Sequence, residues 1–260
     1  MSVITLTTDW GDDVYVGMAK GMLLGKAPDV TVVDLSHHVR PFQLVEAVYI
    51  LSQGFPCFPE GTVHVLSVNT DAAPDVPFVA LSYRGHYFIG RDNGFVGLLT
   101  GNSPERMVQI VKYDDRDLPS FAALSVLIPA AVDLCAGEPL ESLGPVLTAH
   151  RPVQMLLPPI QGSVIQGGVL YIDHYRNLIT NITRPDFVRA VRNRPFEIWV
   201  GSSRYRIRKI SVRYSDVPEG ELVALFNAAG YLEIAMNQGH LADMLSLDEQ
   251  SSVLVKCLES

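Results

Sequence analysis

The sequence predicts an α/β fold: an N-terminal, mostly parallel sheet sandwiched by helices, and a smaller C-terminal antiparallel β-barrel-like domain. Two observations lead to this prediction. Up to about residue 147, short β-branched segments alternate with segments of helical periodicity, which is typical of a parallel sheet covered on both faces. From residue 162 onward, short segments of alternating polar and apolar residues follow one another, which indicates antiparallel strands.

The elements of the N-terminal part follow from local patterns. β-branched residues predict strands over residues 3–8, 31–35 and 62–68. Apolar residues at helical spacing predict helices over residues 15–26, 43–54 and 124–135. Two further strands, 78–82 and 87–90, are expected to form a hairpin, because the short polar segment 83–86 between them is typical of a turn.

Residues 151–160 are predicted to link two domains. This segment carries three prolines, and the periodicity of the sequence changes after it. The α/β domain is therefore expected over residues 1–150 and the β-barrel-like domain over residues 161–260. In the second domain, strands are predicted over residues 162–172, 178–182, 196–200, 205–210, 222–226, 231–235 and 252–256.

Composition and charge exclude several classes of function. With 48% hydrophobic and 18% charged residues in 260, the chain can bury a full core and is not a disordered protein. The low charged fraction also suggests that surface is hidden in an oligomer. A net charge of −8 argues against a nucleic-acid partner, because phosphate backbones are bound by clustered lysine and arginine. The nearest basic cluster is Arg204, Arg206 and Arg208, which alternate as on one face of a strand.

The cysteines and the N-terminus indicate a cytoplasmic protein. Cys57, Cys135 and Cys257 are far apart and form no C-x-x-C pair, so neither a disulfide framework nor a zinc knuckle is expected. The first residues lack the basic segment of a signal peptide and reach Asp9 too soon. No membrane association is expected, because no apolar segment approaches the length that spans a bilayer.

The first candidate site follows the first predicted strand. Asp9 lies at the carboxyl end of that strand, where open α/β sheets bind ligands. A carboxylate there can accept two hydrogen bonds from the hydroxyls of a ribose, each worth about 1.5–3 kcal/mol. Asp12 and Asp13 are better explained as helix caps. The turn matches neither phosphate-binding pattern, and its acidic character suits a cation such as a sulfonium.

Asp173, Tyr175 and Asn177 form the second candidate set. On an extended strand end they would share one face and present an acceptor, an aromatic ring and an amide, a combination that can hold a purine nucleoside. Stacking of a base on an aromatic ring is worth about 1–3 kcal/mol. The alternative interpretation is an ordinary β-turn, because Asp and Asn are frequent turn residues.

The third candidate set lies in residues 226–237, where a turn joins two alternating segments. Its polar members can hold the carboxylate and ammonium of an amino acid. A plain hairpin explains its asparagine and glycine residues equally well.

Metal and acyl-transfer chemistry are not indicated. His37 and His38 are adjacent, so on a strand they face opposite ways, and no third metal ligand has suitable spacing. The G-x-S-x-G pattern of a nucleophilic serine is absent from the sequence.

Several short segments, in order from the first strand to the last, carry a resemblance to a known family. They are Thr8-Asp9-Trp10-Gly11, Tyr15-Val16-Gly17, Lys20-Gly21, Asp29-Val30-Thr31-Val32-Val33-Asp34, Phe88-Ile89-Gly90, Asp92-Asn93-Gly94, Ile172-Asp173, Asn177-Leu178-Ile179-Thr180-Asn181-Ile182 and Gly230-Tyr231-Leu232-Glu233-Ile234-Ala235. Together they resemble the S-adenosylmethionine hydroxide adenosyltransferases, whose halide-using relatives are fluorinase and chlorinase.

The resemblance implies an N-terminal α/β domain, a C-terminal β-barrel-like domain and a homotrimer. Each site would lie between the N-terminal domain of one subunit and the C-terminal domain of the next. The implied ligand is S-adenosylmethionine or adenosine, and no separate cofactor is implied.

The resemblance also assigns substrate-binding residues. Asp9 becomes the ribose binder, Phe42 an aromatic residue against the ligand, and Asn69 a further contact. From the other domain, the residues that would recognise adenine and the methionine end are Asp173, Tyr175, Asn177, Asn227, Glu233, Met236 and Gln238.

The catalytic positions of the family carry other residues here. Family members that use water have an aspartate, an arginine and a histidine where this sequence has Asn69, Val76 and Ala122. An asparagine side chain takes no proton at neutral pH and alanine offers no polar group, so no catalytic residue is assigned. Asp71 and Asp75 are the nearest carboxylates that could substitute, and a solvated loop is the alternative role for both.

Three hypotheses follow for the function. The family reaction is attack of water on the ribose C5′ of S-adenosylmethionine, which yields adenosine and methionine. The alternatives are a non-catalytic protein that binds adenosine or S-adenosylmethionine, and adenosyl transfer to a different nucleophile. Halide transfer is disfavoured, because the aromatic residue that the halide-using relatives carry at Asn69 is absent and Ala123 replaces their small polar or glycine residue.

Overall fold

The computed structural model describes residues 2–70, 75–114, 116, 121–153 and 158–258. The chain divides into two compact units, Met1–Met155 and Leu156–Ser260. Among the described residues, the first unit contains strands β1 (Val3–Thr8), β2 (Thr31–Ser36), β3 (Val63–Ser67), β4 (Phe78–Tyr83), β5 (His86–Arg91) and β6 (Arg106–Gln109). Its helices are α1 (Val14–Lys26), α2 (Leu44–Gly54), α3 (Phe95–Thr100) and α4 (Ile128–Cys135), and a π-helical turn, Ala123–Leu127, precedes α4.

The first unit is a mixed sheet with the strand order β2-β1-β3-β5-β4-β6. β2, β1, β3 and β5 pair in parallel, while β4 is antiparallel to both β5 and β6. Both faces are buried: Ile4 and Leu6 pack with the helices of one face, and Leu66 packs with α2 on the other. This arrangement confirms the predicted N-terminal α/β fold.

The hairpin formed by β4 and β5 has a two-residue turn. Tyr83 pairs with His86, which leaves Arg84 and Gly85 as the turn residues. Both have a positive φ, 51° and 76°, as the turn that matches the twist of paired strands requires. The predicted hairpin is therefore confirmed, with β5 extended to Arg91.

The second unit is an antiparallel sheet that nearly closes into a barrel. Its strands are β7 (Ile160–Gln161), β8 (Val164–Ile172), β9 (Leu178–Thr183), β10 (Phe196–Val200), β11 (Ser202–Ile207), β12 (Leu222–Phe226), β13 (Tyr231–Met236) and β14 (Ser252–Cys257). The strand order is β11-β10-β14-β8-β9-β13-β12, with β7 beside β8. The terminal strands approach each other, since Ile210, which follows β11, forms a bridge to Ala224 of β12. The predicted β-barrel-like fold is confirmed.

Two short helices, α5 (Arg184–Val191) and α6 (Leu241–Leu245), cover parts of this barrel. Thr183 begins α5, because its hydroxyl accepts a hydrogen bond from the Asp186 amide. Phe187 of α5 packs edge-on against Phe196 and Phe226, which fixes the helix over the apolar interior. Among the described residues, every helix of either unit is too short or too polar to cross a bilayer.

A chain of buried polar side chains crosses the first sheet. The Nδ1 atom of His64 lies 2.7 Å from the Thr5 hydroxyl, and its Nε2 atom lies 3.2 Å from Nδ1 of His86. Burial lowers the pKa of His64 to about 3 and also lowers the pKa of His86. Both rings are therefore held neutral in the folded protein at neutral pH.

His64 should make the protein sensitive to mild acid. In the unfolded chain, His64 binds a proton below its ordinary pKa of 6.5, whereas in the folded chain it stays neutral until about pH 3. The folded state therefore loses stability as the pH falls from 6.5 towards 3. For this group alone, the free energy of unfolding should drop by about 2 kcal/mol between pH 7 and pH 5. Urea denaturation at pH 5, 6 and 7 should show that the free energy of unfolding depends less steeply on pH in His64→Gln than in the wild type. The exposed His38→Gln is the control, and equal slopes in His64→Gln and wild type would contradict the assignment.

Candidate ligand-binding site

The carboxyl ends of the parallel strands bring the N-terminal candidates to one edge of the first sheet. β2 and β3 lie on opposite sides of β1, so the strand order changes direction at β1, and ligands of open α/β sheets bind at such a point. Asp9 directly follows β1 and Asn69 follows β3, after the paired residues Thr8 and Ser67. The two candidates therefore lie at the same edge of the sheet.

Asp9 and Phe42 are in direct contact. The Oδ2 atom of Asp9 accepts a hydrogen bond from the Phe42 amide at 3.0 Å. Phe42 has a φ of 67°, which a bulky residue adopts only where its surroundings hold it, and its side chain is 70% exposed. The Oδ1 atom of Asp9 accepts no hydrogen bond from any described residue. The edge therefore presents an open carboxylate oxygen beside a solvent-facing aromatic ring.

Asn69 lies in a turn held by a residue that sequence reasoning missed. The Asn93 amide donates to the carbonyl oxygens of Val68 at 3.0 Å and of Asn69 at 3.1 Å. Asn69 itself has a φ of 51°, in the region that asparagine tolerates better than most residues. Asn93 follows β5, so one side chain joins the ends of two neighbouring strands. The Asp92-Asn93-Gly94 segment was visible as part of the family pattern, but its supporting role was not.

Two of the three positions that the resemblance assigns to water activation, Val76 and Ala122, are apolar. Ala122 is fully buried and directly precedes the π-helical turn. Its neighbour Phe121 packs on Trp10, with ring centroids 5.1 Å apart, and on Tyr15 at 4.7 Å. Val76 is half-buried, whereas Asp71 lies outside the described residues. Neither Ala122 nor the rings around it offer a group that could take a proton.

His37 contacts the last residue of β1. Its Nδ1 atom lies 2.7 Å from the Thr8 hydroxyl, and its Nε2 atom lies 3.0 Å from Oδ1 of Asp34. Its ring also stacks on Trp10 at 6.1 Å. His37 therefore has neighbours of its own on the sheet, and the adjacent His38 is exposed and faces Asp12 at 3.4 Å. Among the described residues, no group of three His, Cys, Asp or Glu side chains could hold a metal ion.

Several of the C-terminal candidates lie on a cavity of about 540 Å³ in the second unit. Four of the residues assigned from the sequence line it, namely Tyr175, Asn177, Met236 and Gln238. Tyr175 is 70% exposed, so one face of its ring is available to a ligand. Cavities of roughly 300–1,000 Å³ are typical of small-molecule sites. We refer to this space as the barrel cavity.

The segment from Asp173 to Asn177 is a turn and not an extended strand end. β8 ends at Ile172, and the Asp173 carboxylate accepts hydrogen bonds from the backbone amide of Asn177 at 2.8 Å and from its side-chain amide at 3.1 Å. Arg176, with a φ of 66°, completes the reversal. The strand interpretation was therefore wrong and the turn alternative is correct. The turn nevertheless leaves Tyr175 and Asn177 on the cavity, while Asp173 holds them in place.

A buried carboxyl group lies beneath the barrel cavity. Glu233 is 4% exposed, and the Tyr214 hydroxyl donates a hydrogen bond to its Oε1 atom at 2.6 Å. Burial raises the pKa of Glu233, and the neighbouring charge of Asp173 raises it further, while the contacts with Tyr214 and Asn227 oppose these effects. Tyr214 lines the cavity, and burial together with Glu233 raises the pKa of its phenol. The phenol therefore stays protonated and keeps its role as donor.

Asn227 lies in the turn that joins β12 to β13. Its Oδ1 atom accepts hydrogen bonds from the amides of Ala229 and Tyr231, each at 3.1 Å. Asn227 thus fixes the hairpin turn and also contacts Glu233. It is not among the residues that line the barrel cavity.

Comparison with known proteins places both units in one family. The model of the SAM hydroxide adenosyltransferase N-terminal domain matches residues 4–144, and that of the C-terminal domain matches residues 167–254. The chain belongs to this family. One similar relative, the (R)-S-adenosyl-L-methionine hydrolase of Thermus thermophilus, is 31% identical over 96% of this chain and 97% of its own length. A fluorinase of Actinoplanes sp. is 25% identical over 97% of each chain.

Solved structures agree with this family membership. A conserved hypothetical protein from Thermus thermophilus matches with a TM-score of 0.73 and 30% identity, over 99% of this chain and all of its own. An uncharacterised conserved protein from Thermotoga maritima matches with a TM-score of 0.84 and 25% identity, over 98% of this chain and all of its own. The family fold therefore extends over nearly the whole sequence.

Tyr214 should stabilise this family member in a pH-dependent way. Tyr214→Phe removes the donor to the buried Glu233 carboxylate, and a hydrogen bond to a charged group is worth about 1.5–3 kcal/mol. We expect a loss of that size in the free energy of unfolding at pH 7 and a smaller loss at pH 4, where a protonated carboxyl no longer depends on a donor. Tyr205→Phe is the control, since the Tyr205 hydroxyl has no partner among the described residues. Equal losses at the two pH values would contradict the role assigned to this pair.

Proposed function

We propose that this protein binds S-adenosylmethionine or adenosine, with the adenine stacked on Tyr175. The observation that carries this proposal is an exposed aromatic ring at a cavity of about 540 Å³, which the largely buried Asn177 also lines. A ring that stacks a base and an amide that reads its edge are sufficient to recognise a purine. The name of one relative, (R)-S-adenosyl-L-methionine hydrolase, supports the same class of ligand.

Asp9 would hold the ribose. Its open Oδ1 atom can accept a hydrogen bond from a ribose hydroxyl, and Oδ2 can accept a second one if the Phe42 amide yields it. Each charge-assisted bond contributes about 1.5–3 kcal/mol. Asp12 and Asp13 make this end of the sheet negative, which favours a sulfonium cation over a phosphate.

We further propose that the functional form is a cytoplasmic homotrimer. As the family resemblance implies, the Asp9 edge of one subunit would join the barrel cavity of another to complete each site. Neither a separate cofactor nor a nucleic-acid or membrane partner is part of this proposal, which requires only the small-molecule ligand.

The family reaction is the first candidate for chemistry at this site. The oxygen of water attacks the ribose C5′, the bond from C5′ to the sulfonium sulfur breaks with its electron pair on sulfur, and methionine leaves as a neutral thioether. The proton of the attacking water passes to solvent. Binding and alignment can supply as much as about 7–11 kcal/mol of such a reaction. Because no residue at Asn69, Val76 or Ala122 can act as general base, we expect hydrolysis to be about 10²–10⁴-fold slower than with a base.

A non-catalytic binding protein is the second candidate, and the buried Ala122 favours it. Phe121 packs on Trp10 and Tyr15 and is adjacent to Ala122 in sequence, so this region offers aromatic and apolar side chains where the family reaction would need a base. Adenosyl transfer to a nucleophile other than water is a variant of the first candidate.

Replacement of Tyr175 tests ligand binding. Tyr175→Ala removes the stacking ring, which contributes about 1–3 kcal/mol, so the Kd for adenosine should rise about 5–150-fold. Tyr175→Phe keeps the ring and should bind nearly as well as the wild type. Isothermal calorimetry with adenosine and with S-adenosylmethionine measures both. Val188→Ala, a change of another exposed apolar residue, is the control. Wild-type protein that gives no heat with either compound would overturn the proposed ligand.

Restoration of the three family residues tests the reaction. The triple variant Asn69→Asp, Val76→Arg and Ala122→His should hydrolyse S-adenosylmethionine about 10²–10⁴-fold faster than the wild type, because it regains a general base and its charged partners. Chromatography of adenosine and methionine after incubation measures the rate. Wild-type protein that binds S-adenosylmethionine but forms no product above a no-protein control supports the second candidate. Unchanged turnover in a folded triple variant would contradict the positional assignment.

A further inference from the structure

A second cavity, of about 570 Å³, lies at the open seam of the barrel in the second unit. The seam separates β11 and β12, which are the two ends of the strand order. Ile210 and Ala224 bridge it at one point, and the cavity is lined by residues of both strands and of α6. We refer to it as the seam cavity. Met236 is the one described residue of its lining that was also assigned to the adenosyl site.

The floor of the seam cavity is apolar. Ile207 and Val223 are buried side chains of the two facing strands, and Met236 extends from β13. Leu245 and the 68%-exposed Met244 add apolar surface from α6. Of these side chains, Met244 and the half-buried Leu245 remain accessible, and accessible apolar surface gains free energy when a ligand covers it.

The rim of the seam cavity is positively charged, although the whole chain carries a net charge of −8. Arg206 and Arg208 lie on it, and both are held by the buried Glu197 carboxylate. Arg204 and Lys209 also line the cavity, and among the described residues neither forms an ion pair.

The rim keeps an excess of positive charge even when its acidic neighbours are counted. Glu221 is the acidic side chain of the lining, Glu197 lies behind Arg206 and Arg208, and Asp216 interacts electrostatically with Lys209, so four cationic groups face three carboxylates. In an acidic protein, such a local excess attracts anions.

We propose that the seam cavity is a second ligand site, which takes a small organic anion with an apolar body. The body would cover the accessible apolar surface of Met244 and Leu245. The anionic head, a carboxylate or a phosphate ester, would pair with Arg204 and Lys209. Charge-assisted hydrogen bonds of this kind fix the orientation of the ligand, because contacts with its apolar part are not directional.

The seam cavity shares a wall with the barrel cavity. Met236, the last residue of β13, lines both cavities. A ligand that displaces the flexible Met236 side chain on one side changes the shape of the other cavity. Occupancy of the seam cavity therefore alters the affinity of the barrel cavity for its ligand, and thermodynamic linkage makes the effect reciprocal. This second part of the inference rests on the proposed adenosine binding.

Calorimetry of the full chain with octanoate tests the site. Octanoate should bind, while octylammonium, which has the same apolar body and the opposite charge, should not. The double variant Arg204→Ala and Lys209→Ala should bind octanoate at least about tenfold more weakly, since it loses both partners of the head. The control double variant, Lys26→Ala and Arg189→Ala, removes two exposed positive charges that do not line the cavity and should bind like the wild type.

Three outcomes would overturn the site: no octanoate binding by the wild type, equal binding of octylammonium, or equal weakening in the two double variants. The coupling is tested by the Kd for adenosine with and without saturating octanoate. A shift of about fivefold or more, matched by an equal shift in the Kd for octanoate, supports the shared wall. An unchanged Kd for adenosine would overturn the coupling and leave the site intact. Failure of adenosine to bind at all would instead count against the proposed function.

Discussion

The architecture of the barrel cavity depends on the need to satisfy one buried carboxyl group. Glu233 on β13 is removed from water, and an unpaired carboxylate there would be strongly destabilising. Its partners come from two separate segments: the Tyr214 hydroxyl from the turn before β12, and Asn227 from the turn that follows it. Because both contacts converge on one residue, they hold the loop and the hairpin against the strand, and Tyr214 of that loop lines the cavity.

The first unit combines an open polar edge with an apolar interior beside it. The open oxygen of Asp9 and the ring of Phe42 lie where a parallel sheet normally binds ligands. Nearby, Phe121 and Trp10 pack together next to the fully buried Ala122. A site can retain recognition and lack proton transfer in this way, because the two depend on different side chains. These side chains favour ligand binding over the family reaction, a distinction that overall sequence similarity does not make.

Much of the fold could be predicted, because β-branched segments and helical spacing reflect local conformational preferences. For β1, β10 and β12 the predicted first and last residues are those of the structure. The helix α3 was missed because it has six residues between Gly94 and Gly101, which look like a loop. The strand interpretation of Asp173 failed because a turn stabilised by Asp173 itself competes with extension. No sequence pattern indicated Tyr214, because its role arises from a hydrogen bond to Glu233, 19 residues further along the chain.

The packing of Trp10 against Phe121 and His37 also has a spectroscopic consequence. The chain contains two tryptophans, and the other, Trp199, lies on β10 in the second unit. Each half of the protein therefore carries its own indole chromophore. With Trp199 changed to phenylalanine, the tryptophan emission that remains originates beside the Asp9 edge alone, so its quenching or wavelength change reports events in that neighbourhood without any added label.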